Sequence, residues 1–98
     1  MRVIYDKVLV AKLTNLVRKI LLTEWDPIGI GHRKEVQDEY DSYIPRICLL
    51  LLDKESHERI VEYLRIAEDH IGIRRKTNIE RIERVARILA DIDIDNIK

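Results

Sequence analysis

The chain predicts an all-α protein, a compact bundle of four main helices with the second kinked or split near Pro45. Three observations carry this expectation. Apolar residues recur at three- and four-residue spacing over several long segments, the period that gathers them on one helix face. Three Gly and two Pro in 98 residues are too few for the turns of a β-sandwich. Hydrophobic residues make up 46% without a single Phe, so Ile and Leu carry the apolar load, while 37% charged residues supply solvated outer faces. The length fits one domain spanning 1–98.

The first helix is expected over residues 7–22, where Leu9, Leu13, Leu16, Val17, Ile20 and Leu21 form the stripe. Trp25-Asp26-Pro27 ends it, because proline drives the residue before it out of the helical region. Gly29 and Gly31 then permit tight turns in a loop running to about Arg33. A second helix is expected from Lys34 or Glu35 to Leu52, with Val36, Tyr40, Tyr43, Ile44, Ile47, Leu50 and Leu51 on one face. Pro45 interrupts it, since an interior proline removes a hydrogen bond and kinks the axis at about 3 kcal/mol or more. Either the helix bends there, or Ser42 caps a new helix whose first turn holds Pro45.

Ser56 is the expected N-cap of a third helix over 57–71, which Gly72 ends. Its stripe is Ile60, Val61, Leu64, Ala67, His70 and Ile71. Thr77 and Glu80 match a capping box that opens a fourth helix over 78–91, with Ile79, Ile82, Val85, Ala86 and Leu89 inward.

Several function classes are disfavoured by composition. Cys48 is the only cysteine, so no internal disulfide forms, and its apolar neighbours fit a small buried hydrophobe in a reducing cytoplasm. Charges interrupt the first twenty residues, so no secretory leader is expected, and the longest apolar run, 47–52, falls far short of a membrane span. His32, His57 and His70 lack metal-ligand spacing, and with one Cys no structural zinc site is expected. His70 suits the negative end of its helix.

Net charge is zero but unevenly spread. Residues 1–34 net four positive, 35–69 net six negative and 70–98 net two positive. An acidic middle can steer a basic partner, or the opposite charges can meet on neighbouring helices. Arg74, Arg75, Lys76, Arg81, Arg84 and Arg87 form a basic stripe interleaved with Glu80 and Glu83. Its excess is small for nucleic-acid binding, which is not expected.

Residues 25–43 concentrate the unusual features: the only Trp, two of four Tyr, two Gly, a Pro and a cluster of acids. One reading is a binding loop, with Trp25, Tyr40 or Tyr43 as anchors and Asp26, Asp38, Glu39 and Asp41 as the acidic face. The other is structural, with Trp25 plugging the core, Asp26 capping a turn, and both Tyr packed inward. A chemical alternative uses Asp26, Asp38 and Asp41 as oxygen ligands for a hard cation, or as an acid–base pair. No nucleophile or phosphate-binding loop accompanies them, so no catalytic residue, metal or cofactor is expected. Asp91, Asp93 and Asp95 imitate the opening of a calcium loop but lack its glycine and closing Glu; a frayed acidic tail or short extended segment is expected.

Trp25-Asp26-Pro27-Ile28-Gly29, followed by Asp38-Glu39-Tyr40-Asp41 and Tyr43, resembles small bacterial proteins with a W-D-P-x-G … D-E-Y-D-x-Y pattern, mostly uncharacterised. The resemblance covers roughly residues 16–72. It implies a compact helical domain of bacterial origin, and some similar short proteins look like immunity or accessory partners of other proteins. The basic last helix lies outside it.

Together these readings point to a non-enzymatic protein-binding module, of the kind that neutralises a toxin or nuclease. Its site is Trp25, Asp26, Asp38, Glu39, Tyr40, Asp41 and Tyr43, and its partner is another, basic, protein. A homodimer or homo-oligomeric structural module is the rival that uses an apolar helix face, and a carboxylate-based metal-dependent enzyme is the rival that uses chemistry.

Overall fold

A computed structural model describes residues 7–30, 33–36, 38–72 and 78–97. Gly31, His32, the basic connector at 73–76 and Thr77 of the expected capping box lie outside these. Among the described residues there are helices, helical turns and bends but no strand. The elements are α1 (Lys7–Ile20), α2 (Ile44–Leu52), α3 (His57–Ile71), α4 (Ile79–Ala90) and the single-turn α5 (Ile94–Ile97). The all-α bundle is as the sequence predicts, with five helices rather than four. The radius of gyration is 13.4 Å, against about 13 Å for a folded domain of this length.

The first helical segment does not stop at the expected Leu22. It widens into one π turn, Leu21–Trp25, closed by the Asp26 N–H donating to the Leu21 carbonyl at 2.8 Å. Asp26 then takes the left-handed conformation (φ 35, ψ 59), which ends the helix. Leu21, Leu22 and Trp25 are all buried as a result.

The segment expected as a second helix kinked or split near Pro45 is three pieces. Lys34–Val36 and Asp41–Tyr43 are 3-10 turns, and only Ile44–Leu52 is α-helical. Pro45 sits in the first turn of α2, where the amide it lacks would have had no helical partner. The cap position falls to Tyr43 rather than Ser42, with no side-chain cap bond. Thr14 Oγ1 lies 4.0 Å from Cys48 Sγ, and Arg18 reaches Asp41, so α1 and α2 run antiparallel.

α3 occupies the expected residues and ends at Gly72, whose φ of 85 a residue with a Cβ resists. Ser56 holds the N-cap position of α3 in extended conformation but makes no cap bond. Asn78, one residue later than the expected Thr77, caps α4 by accepting from the Arg81 N–H at 3.1 Å. The acidic tail expected to be frayed or extended instead forms α5, with Ile94 and Ile97 half-buried against the core.

One core runs through these elements. It gathers Leu13, Val17 and Leu21 with Ile44, Ile47, Ile60, Leu64, Ile82, Val85 and Leu89, all buried. Trp25, Ile30 and Tyr40 belong to the same cluster, so the loop after α1 is part of the core. No helix among the described residues is long and apolar enough to cross a membrane.

Candidate functional site

The loop between α1 and α2 is built on Trp25, which is 1% exposed. Its ring lies 5.2 Å from that of Tyr40, tilted, and 6.0 Å from that of Tyr43, edge-on. A buried indole N–H needs an acceptor. Trp25 Nε1 donates to Glu68 Oε2 on α3 at 2.8 Å, across 43 residues of sequence.

Asp26 organises the next turn. Its Oδ1 accepts the Ile30 N–H at 2.8 Å and the Tyr40 hydroxyl at 2.9 Å. The Tyr40 oxygen also accepts the Ile28 N–H at 3.2 Å. One phenol therefore ties the start of the loop to its end. Burial pushes the Tyr40 hydroxyl above the ordinary tyrosine range. The Ile28 N–H opposes that rise, the bond to Asp26 and the Asp26 charge add to it, and the Arg81 charge opposes it.

Asp41 fixes the far side. Arg18 Nε and Nη2 donate to its two carboxylate oxygens at 2.9 and 3.0 Å, a bidentate pair anchored on α1. The Asp41 hydrogen bond holds Arg18 still more firmly in its charged form, with burial opposing and the Asp41 and Asp38 charges adding. Half-buried Tyr43 places its hydroxyl 3.2 Å from His70 Nδ1. His70 thus touches the loop besides occupying the last turn of α3.

Of the seven residues the sequence nominates, the structure brings Trp25, Asp26, Tyr40 and Tyr43 into one internal frame. Trp25 and Tyr40, 1% and 2% exposed, offer a partner almost no surface; they hold the loop from beneath. Asp41 is committed to Arg18. Asp38 and Glu39 are exposed, and neither has an ion-pair partner among the described residues. The carboxylate trio of the chemical alternative is thus divided between a loop bond, an ion pair and open solvent. Among the described residues, no group of three or more His, Cys, Asp and Glu is placed to hold a metal ion.

The expected meeting of acidic and basic segments is narrow. Arg18–Asp41 joins separate elements, and the other ion pairs among the described residues link neighbours within four positions. Arg84 and Arg87 are exposed on α4 without such a pair.

Glu68, Arg18 and Arg81 were not nominated by the sequence. Glu68 is 1% exposed and its Oε1 has no hydrogen-bond partner among the described residues, and Arg81 Nε is buried and likewise unpartnered among them. A signal for Glu68 was present: it falls one residue after Ala67 and four after Leu64, on the flank of a buried stripe. Comparison with protein-family models, curated proteins and solved structures gives no match.

Proposed function

We propose that this chain is a non-enzymatic protein-binding module that presents Asp38 and Glu39 to a basic partner protein. The observation that carries the reading is their setting. Both carboxylates are exposed and without an ion-pair partner among the described residues, and the two residues that follow them are held in place, Tyr40 by Asp26 and Asp41 by Arg18. A charge held on a fixed backbone loses little freedom on association. An acidic face also speeds encounter with a basic surface more than it adds affinity. Neutralising a basic toxin or nuclease cleft is the form of binding this chemistry suits. In this reading Trp25 and Tyr40 set the loop's shape, and Tyr43, half-buried at its edge, is the aromatic within a partner's reach.

Native mass spectrometry of the protein purified gently from its own source tests the reading. An added polypeptide identifies the partner. With that partner in hand, Asp38→Lys with Glu39→Lys lowers the association rate at low salt by about tenfold or more. The loss shrinks as salt rises, because screening removes the same attraction. An association rate unchanged by the double reversal rejects the assignment. A doubled mass instead favours a second copy, for which exposed Val8 on α1 and Leu49 on α2 are the apolar candidates.

A further inference from the structure

α2 is apolar nearly all round. It reads Ile-Pro-Arg-Ile-Cys-Leu-Leu-Leu-Leu, and Arg46 is its one charged residue. A helix of that composition is normally enclosed on every side. Here the core takes Ile44, Ile47, Cys48 and Leu51, while α1 and α3 pack against its flanks. The side that remains carries Leu49, which is 48% exposed, with Pro45 and Arg46 also exposed and Leu50 half-buried.

The charges at the two ends of this face decide what fits it. Arg46, Leu49 and Asp53 are spaced i, i+3 and i+7, so they share one stripe. Asp53 keeps helical backbone at the C-cap, with φ −82 and ψ 0. All three residues are exposed, and neither Arg46 nor Asp53 has an ion-pair partner among the described residues. The stripe therefore runs cation, leucine, anion along the axis. At about 1.5 Å per residue, the cation lies about 4.5 Å before Leu49 and the anion about 6 Å after it.

A surface with that order complements itself. A two-fold contact pairs residue i with j and j with i, so a second copy laid antiparallel sets leucine on leucine and opposite charges at both ends. A partner of one charge sign meets repulsion at one end of the stripe. We propose that the exposed face of α2 is the contact of a symmetric homodimer, antiparallel about a two-fold axis beside Leu49, in which Arg46 of each copy pairs with Asp53 of the other. Burial of Leu49 supplies the attraction, and the two ion pairs set direction and register. The contact uses neither Asp38 nor Glu39, so it and the reading of the loop stand or fall separately.

Sedimentation equilibrium of the full chain at low salt, from about 10 μM to about 1 mM, tests the proposal in the range where a small contact dissociates. The mass is expected to rise with concentration from one chain toward two. Leu49→Lys is expected to hold it at one throughout. Arg46→Asp alone, or Asp53→Arg alone, sets like charges against each other and is expected to weaken association by about tenfold or more. Mixing these two variants in equal amounts is expected to restore association, because each then meets the opposite charge in the other chain. All three positions are exposed, so each variant is expected to keep the parent's far-ultraviolet circular dichroism. A parent chain that stays monomeric at every concentration overturns the proposal. So does a dimer untouched by Leu49→Lys, or a mixture that associates no better than its two components apart.

Discussion

Tyr40 does the most with one side chain. Its ring packs on Trp25 in the core, and its hydroxyl donates to Asp26 and accepts from Ile28. Tyr40→Phe keeps the ring and strips both bonds, leaving a carboxylate oxygen short of a donor and an amide short of an acceptor. The expected cost is about 1–3 kcal/mol at neutral pH, read from urea unfolding. The same variant has a pH signature. The hydroxyl is held protonated in the folded state above the ordinary tyrosine value, chiefly by burial. A raised folded value contributes stability that is complete below the unfolded value, about 10, and is lost as pH climbs beyond it. Cys48 and Tyr63 are shifted in the same direction, each chiefly by burial, so the native protein is expected to weaken steeply on the alkaline side. Tyr40→Phe should flatten that fall without abolishing it. An alkaline limb as steep in the variant as in the parent would show that the Tyr40 hydroxyl titrates normally.

At the scale of elements, two helices end in the same way with different residues. α3 closes on Gly72 at φ 85 and α2 is followed by Lys54 at φ 55. Behind α2, the Glu55 N–H donates to Leu50 and the Lys54 N–H to Leu51, the pattern in which a left-handed residue normally is glycine. A side chain in that conformation costs roughly 1 kcal/mol. Lys54→Gly is therefore expected to stabilise by about 0.5–1 kcal/mol, after allowance for the freer unfolded chain. Gly72→Ala is expected to destabilise by about as much, through φ alone, since an added Cβ there meets nothing within 4 Å. Thermal midpoints moving in opposite directions by a few degrees would confirm the pair; two losses would show that Lys54 has a compensating role.

These termini also show what the sequence could reveal. The end of α3 was legible because Gly72 acts locally, and Ser56 marks the start by its extended conformation rather than by a side-chain cap bond. The break near Pro45 was legible, but the stretch before it reads as helix because Val36, Tyr40 and Tyr43 continue the apolar period of α2, although Tyr40 is held by Asp26 fourteen residues before it. The Trp25–Glu68 bond spans 43 residues and leaves no mark in spacing. Local chemistry is written in neighbouring residues, whereas a cross-chain hydrogen bond is fixed by how the helices pack. For that reason the special loop could be located from sequence, but not which of its residues face inward.

The molecule as a whole puts the loop and the bundle into one core. Trp25, Ile30 and Tyr40 pack in the same cluster as residues of α1, α2, α3 and α4. A loop fastened only by surface bonds would open before the helices, since regions with few buried contacts unfold first. Here, opening it would expose an indole, a phenol and Glu68 together. The expectation is a single cooperative transition. Trp25 fluorescence, which reads the loop, and far-ultraviolet circular dichroism, which reads the helices, should then give superimposable urea curves. If the Trp25 signal instead changed at lower urea, the loop would be a separate, weaker unit. That result would also undercut the proposed function at its base, because Asp38 and Glu39 are presented in a fixed geometry only while Trp25 and Tyr40 hold the turn between α1 and α2.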